Sequence, residues 1–299
     1  MNYLCYFIAL FSLSQSPNLI RMAAAPAVVI GFWRLLGASV LLIGFVLWTQ
    51  KLFSLKALQK YFKGIPAKGT IFLCGSLFFG HLWTYSYGAQ KTSVAAAMIL
   101  FSLNPLFTAL ASSKLVGDSV HPKVKWAMFF GFLALFLLFS EKHDPNDISF
   151  WGNVSAFASA ILFSGYLLTS KMVRQKTNNI SFTTLMYLVC ALWFFVFMIA
   201  TTDPAQENWV PIESSFWTAI LALILFPTFL GHALFSYLLK DFNINWMSCG
   251  KLLEPGLASI VAYFVFSESP SVAVNLSFVF TAGAVLLLYM PWQKWRRNS

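Results

Sequence analysis

Residues 246–266 read WMSCGKLLEPGLASIVAYFVF, an apolar run of membrane-spanning length in which a cation, Lys251, and a carboxylate, Glu254, stand three residues apart beside Pro255. Charged groups are costly in hydrocarbon and therefore face a protected interior. A proline there removes its own amide donor and frees the carbonyl four residues back, which for Pro255 is that of Lys251. A second run, VAAAMILFSLNPLFTALASSKLV at 94–116, repeats the design with Asn104 and Pro105 and frees the carbonyl of Phe101. Such carbonyls are tolerated at membrane depth only where protein or water satisfies them. Both stretches read as hinges or polar cavity walls, with Pro105 and Pro255 as the hinge residues.

The rest of the chain is made of the same material. Of 299 residues, 59% are hydrophobic and only 10% charged, where a soluble domain has about a quarter charged. The mean hydropathy is +0.71. The chain reads as an all-α integral membrane protein. Its net charge of +10 does not indicate nucleic acid, because the basic residues fall in short loops between apolar runs, where they orient a membrane protein. The four cysteines, Cys5, Cys74, Cys190 and Cys249, lie inside apolar runs without paired spacing, which indicates neither a disulfide framework nor a metal site. No cofactor is called for.

A helix needs around 20 apolar residues to cross a bilayer. On that basis ten transmembrane helices are expected, at 3–20, 26–49, 69–89, 93–115, 123–140, 150–171, 181–201, 214–238, 245–267 and 271–291. The runs are too long and too uniformly apolar for barrel strands. Fifteen of the 20 lysines and arginines lie in loops after even-numbered spans or in the C-terminal tail. Arg21, Lys91 and Lys142 lie on the other side, and Arg34 and Lys251 lie within spans. This asymmetry predicts both termini in the cytoplasm.

The chain also repeats itself. Adding 150 to a position takes Asn104-Pro105 to Glu254-Pro255, Asp118 to Glu268, Ser14 to Ser164 and Arg21 to Lys171, while Gly80-His81 meets Gly231-His232 one residue further on. Each copy holds five spans, an odd number, so the second enters the membrane from the opposite side. Two inverted five-helix repeats, 1–145 and 146–299, are expected. In secondary transporters built this way the substrate site lies near midplane between the repeats.

The residues that recur resemble the drug/metabolite transporter superfamily, EamA type. They are Gly31-Phe32-Trp33-Arg34, Gly80-His81 leading to Tyr87, Thr92-Ser93-Val94-Ala95 through Asn104-Pro105, Pro227-Thr228 with Gly231-His232, and Leu253-Glu254-Pro255 followed by Ser267-Glu268. The resemblance covers the whole chain twice and implies a central cavity lined by spans one to four and six to nine. Two positions depart from it. Ser12-Leu13-Ser14-Gln15-Ser16 stands where many relatives carry Trp-Gly, and Lys251 stands where they have an apolar or small residue.

Lys251, Glu254, Arg34 and Asn104, with Trp83, Tyr85, Tyr166 and Trp246 on helices expected to line the cavity, are the candidate substrate-binding residues. Glu254, His81 and His232 are the candidate proton carriers. Lys251 enters about 9 Å deep at 1.5 Å per residue, so its stem can snorkel part of the way out or its ammonium can pair with Glu254. Arg34 has no carboxylate in its own span and must meet Glu254, a set of carbonyls or an anionic ligand. If all are ionised, these three residues leave a local charge of +1, which suits a carboxylate.

The expectation is a secondary transporter of the cytoplasmic (inner) membrane for a small polar metabolite, an amino acid or related carboxylate. It would be a monomer or homodimer in the lipid bilayer, with a proton or counter-substrate as a possible second partner. The alternatives are an exchanger for nucleotide-derived cofactors such as S-adenosylmethionine, or a lipid-linked-sugar flippase-type protein. An enzyme is not expected, because no nucleophile, base and oxyanion arrangement can be assembled from these motifs.

Overall fold

A computed structural model describes residues 3–51, 54–120, 122–139, 148–204, 207–267, 269 and 271–289. Glu268, Lys142 and the basic C-terminal tail lie outside the described residues, as do the ends of spans five and ten. Among the described residues every regular element is helical. Six helical stretches are long and apolar enough to cross a membrane: Ala27–Thr49, Val94–Leu115, Phe150–Arg174, Asn179–Thr201, Ser214–Leu239 and Ile244–Phe266.

In chain order the helices are α1 (Tyr3–Ser14), α2 (Ser16–Ala23), α3 (Ala27–Thr49), α4 (Leu55–Lys63), α5 (Lys68–Lys91), α6 (Val94–Phe101), α7 (Asn104–Leu115), α8 (Pro122–Phe139), α9 (Ile148–Arg174) and α10 (Asn179–Thr201). There follow α11 (Ser214–Leu223), a π-helical segment (Ile224–Ala233), α12 (Leu234–Leu239), α13 (Ile244–Gly250), one 3₁₀ turn (Lys251–Leu253), α14 (Glu254–Phe266) and α15 (Val272–Tyr289).

Proline sets the interruptions. Pro17 sits in the first turn of α2, Pro105 in that of α7 and Pro255 in that of α14, positions where its missing N–H has no intrahelical acceptor to lose. Pro227 lies inside the π-helical segment, whose wider turn accommodates the ring. The short helix α4 is different in kind. Ser54 caps it by accepting from the Ala57 amide at 3.2 Å, and Lys60 and Lys63 stand in its last turn, where they complement the helix dipole.

The packing respects the internal repeat. α5 packs on α9, and α1 packs on the π-helical segment; α3 packs on α10, α6 on α14 and α8 on α15. A shift of 150 residues exchanges the first pair with the second, carries α3–α10 and α8–α15 each into itself, and turns the α6–α14 contact into that of α13 with α7. Two cations follow the same relation. Arg21 donates to the carbonyls of Ala89 (2.8 Å) and Thr92, whereas Lys171 pairs with Asp118 and donates to the carbonyl of Phe242 at 2.6 Å. Thr92 and Phe242 are again 150 apart.

Large apolar side chains cover the outside, among them Phe264 (79% exposed), Val272 (76%) and Phe136 (71%). In water such a surface marks an association site. Around a helical bundle of this composition it is the lipid face.

The close approach of α5 and α9 depends on glycine. A Cβ on Gly152 would stand 2.9 Å from the Lys91 carbonyl carbon and 3.0 Å from the Thr92 nitrogen, which are backbone atoms that cannot turn aside. Gly152→Val is expected to cost about 1–3 kcal/mol through overpacking and to lower the melting temperature in detergent. Gly44→Ala, with nothing within 4 Å of the new Cβ, should leave it unchanged or raise it slightly. Equal melting temperatures for the two variants would show that α5 and α9 do not meet this closely.

Candidate functional site

At each of three prolines the freed carbonyl finds a donor close by. Asn104 Nδ2 donates to the Phe101 carbonyl at 2.9 Å. Thr228 Oγ1 donates at 2.7 Å to the carbonyl of Leu223, four residues before Pro227. The Lys251 carbonyl accepts from the Glu254 amide across the 3₁₀ turn. Backbone polarity is thereby absorbed locally, and what remains in the core is side-chain chemistry.

Lys251 and Glu254 are 1% and 2% exposed, and Lys251 Nζ lies 2.5 Å from Glu254 Oε1. The lysine does not snorkel. Its ammonium instead stands 4.8 Å from the ring centre of Phe163, 5.3 Å from Phe101 and 5.5 Å from Phe235. Cation–π attraction of about 0.5–2 kcal/mol per ring offsets part of the desolvation. Because Phe163 belongs to α9, Phe101 to α6 and Phe235 to α12, the cage joins elements from both halves of the chain.

His81 and His232 sit beside this cage, their ring centres 5.9 Å apart. His81 Nδ1 shares a proton with Ser159 Oγ at 2.8 Å and its ring stacks on Phe101. Tyr166 lies 6.0 Å from His232 and 4.7 Å from Phe78, and both tyrosine and phenylalanine are fully buried. Tyr85 is 5.7 Å from His81 and donates to Met98 Sδ at 2.8 Å.

Arg34, 2% exposed, meets neither Glu254 nor a carbonyl. Its Nε donates to Thr228 Oγ1 at 2.7 Å, the hydroxyl that also serves the Pro227 kink. Arg34 Nη2, Tyr166 OH and Asn104 Oδ1 are buried with no hydrogen-bond partner among the described residues. Each such atom costs about 1–3 kcal/mol. Both histidines lie within electrostatic range of Arg34 and Lys251, so the groups share one region.

The structure thus brings together Arg34, His81, Tyr85, Tyr166, His232, Lys251 and Glu254. Asn104 joins them through the Phe101 carbonyl and through its own, which accepts from Ser164 at 2.8 Å. Trp83 packs elsewhere, against Phe197 at 4.9 Å and Tyr87 at 6.3 Å. Trp246 lies against Tyr6, ring centres 5.1 Å apart, and Tyr6 in turn lies 6.0 Å from Phe235 of the cage. The three caging phenylalanines escaped the sequence reading, since 32 phenylalanines offer no signal that singles out three. Among the described residues no group of three or more His, Cys, Asp or Glu is placed to hold a metal ion.

A helical bundle with a lipid-facing exterior and charged groups sealed in its core is a multi-pass membrane protein. The profile of the EamA-like transporter family matches it twice, over residues 1–140 and 150–290. The chain belongs to that family, whose members are membrane transporters rather than enzymes. Similar proteins include an uncharacterized transporter of Archaeoglobus fulgidus, 28% identical over 201 residues, 66% of this chain and 68% of the relative. The uncharacterized transporter YyaM of Bacillus subtilis is 24% identical over 62% of each chain. A chloroplastic WAT1-related protein of Arabidopsis thaliana is 22% identical over 68% of this chain and 50% of its own length. For the last two, the match spans less than two thirds of the relative. One solved crystal structure shares the fold with a TM-score of 0.74 and 18% identity, covering 95% of this chain and 96% of the other.

Breaking a buried ion pair by removing one partner costs about 3–5 kcal/mol, because the other charge is stranded, whereas removing both is far cheaper. Lys251→Met and Glu254→Gln should each lower the detergent melting temperature strongly, and the double variant should recover most of the loss. Additive losses would show that the two side chains do not depend on each other.

Proposed function

We propose that this EamA-type transporter carries a small polar metabolite bearing a carboxylate, an amino acid or related acid. The pathway runs through the core around Lys251 and Glu254, between two inverted five-helix halves, 1–145 and 146–299. In this reading the ten helical spans cross the cytoplasmic membrane with both termini in the cytoplasm, as the distribution of basic residues favours.

The observation that carries the reading is the set of unsatisfied groups. A guanidinium nitrogen, a phenol and a carboxamide oxygen, all buried and without a partner among the described residues, accompany a sealed ion pair. Buried polar groups are normally hydrogen-bonded, and exceptions call for a ligand or a function. A carboxylate entering the core would accept from Arg34 Nη2 and Tyr166 OH. It would also compete with Glu254 for the Lys251 ammonium, loosening the contact that ties the 3₁₀ turn to α14.

That competition supplies a mechanism for alternating access. With the pair closed, the Phe101, Phe163 and Phe235 rings seal the centre. When the substrate takes the ammonium, the turns at Pro105 and Pro255 are free to change angle, because each already lacks one helical hydrogen bond. Displaced Glu254, with His81 and His232 beside it, is positioned to exchange a proton in the same step. The arrangement serves proton coupling or substrate exchange equally.

In proteoliposomes, Lys251→Ala should abolish uptake of an anionic amino acid or redirect selectivity away from carboxylates. Wild-type rates with unchanged selectivity would sink the assignment. Where Lys251→Ala folds poorly, the Lys251→Met/Glu254→Gln pair serves instead. Cargo can be found by melting the purified protein against amino acids, nucleotides and cofactors, because a ligand at 100 times its Kd stabilises the folded state by about 2.7 kcal/mol. Collapse of an imposed pH gradient should slow transport if a proton is coupled, and indifference excludes coupling.

A further inference from the structure

Separate from the central cage, with none of its three rings in their walls, two cavities share a wall at the end of the bundle where the basic loops gather. One, of about 750 Å³, lies between the end of α3, the turn from α9 into α10, and the end of α12. The other, of about 520 Å³, lies between the same turn and α4. Tyr61, Lys176, Thr177 and Asn178 line both.

Their charge is one-sided. Arg174, Lys176 and Lys240 line the first cavity and Lys60 and Lys176 the second, against the single lining carboxylate of Asp241. Arg174 is 3% exposed and held rigidly, its Nε donating to the Ser236 carbonyl at 3.2 Å and its Nη1 to that of Thr177. Between the cations α10 begins. Asn178 caps it by accepting from the Ser181 amide at 2.8 Å, so the Asn179 and Ile180 amides, which have no acceptor within the helix, add the positive end of its dipole.

Thr177 is the independent sign of a ligand site. It is 9% exposed, and its Oγ1 has no hydrogen-bond partner among the described residues although it borders both cavities. Asn179 repeats the pattern with an unpartnered buried Oδ1, its Nδ2 being taken by the Ala233 carbonyl at 2.9 Å. A hydroxyl free to donate, a carboxamide oxygen free to accept and four cations together fit a phosphate that carries a hydroxylated substituent.

We propose that these cavities bind the phosphate headgroup of an anionic phospholipid of the phosphatidylglycerol kind. The surroundings favour a lipid over a soluble phosphate. Tyr237 (56% exposed) and Ile180 (39% exposed) form an open apolar rim on the first cavity, where acyl chains can leave. Basic α4 lies alongside, tied to the start of α10 by the 2.5 Å contact of Tyr61 OH with Ser181 Oγ. A basic amphipathic helix of this kind rests at headgroup level. A bound headgroup would therefore fasten α4 to α10 and brace the connections that flank both. This role is independent of what the central site transports.

The test is lipid binding by the full chain in nanodiscs and detergent. Native mass spectrometry should show phosphatidylglycerol retained in preference to phosphatidylcholine, and added phosphatidylglycerol should raise the melting temperature where inorganic phosphate does not. Lys176→Gln/Lys240→Gln, two exposed side chains whose loss leaves the fold intact, should weaken retention at least about tenfold, since each cation near an anionic headgroup contributes substantially. Stabilisation by inorganic phosphate, lost in the same variant, would keep the anion site but assign it to a soluble phosphate ester. No preference among the lipids together with no response to phosphate, or binding unchanged in the double variant, would overturn the proposal.

Discussion

Every backbone carbonyl in a membrane interior has to find a donor within the protein, and the architecture at the centre of this chain follows from how four prolines are reconciled with that demand. Helices are broken at Ser102-Leu103 and at Lys251–Leu253, and widened at Ile224–Ala233. At three of these prolines the donor lies within one residue of the ring: the Asn104 carboxamide, the Thr228 hydroxyl and the Glu254 amide. These are also the positions around which the buried polar cluster is assembled. Kinks and chemistry coincide because the same side chains serve both.

The two halves solve one problem with different residues. In the first, Asn104 returns its side chain to the carbonyl of residue 101, and Phe101 contributes a ring. In the second, the backbone closes a tighter 3₁₀ turn in which the Glu254 amide donates to the Lys251 carbonyl, and the Glu254 side chain turns to that of Lys251. Phe101 and Lys251 occupy equivalent positions in the repeat, and they meet, at 5.3 Å, as ring and cation. The buried lysine is accommodated by its own symmetry mate.

Arg34 shows how a buried cation changes meaning once its neighbours are known. From the sequence it required a carboxylate, a set of carbonyls or an anion. It has a threonine hydroxyl on one nitrogen and, among the described residues, no partner on another. The same contrast holds among the aromatics. Tyr85 and Tyr166 enter the central region, whereas Trp83, on the same helix as Tyr85, packs against α10. Two residues apart on one helix is a rotation of about 200°, and only the packing of α5 tells which direction is inward.

Composition and periodicity were enough to show that this chain is helical and membrane-embedded, and that it carries one pattern twice. These properties rest on local or additive physics: apolar length against bilayer thickness, proline against the helix, and a spacing that repeats. The buried Lys251–Glu254 contact was also legible, since three residues on a helix bring two side chains together. What only the tertiary structure decided is everything that joins distant segments: the ring cage from α6, α9 and α12, the Arg34–Thr228 contact, the paired histidines, and the basic cavities beside α10. The reason is physical. Helix faces are chosen by packing against neighbours, and in a chain with apolar residues on nearly every face the sequence carries no stripe to say which one turns inward.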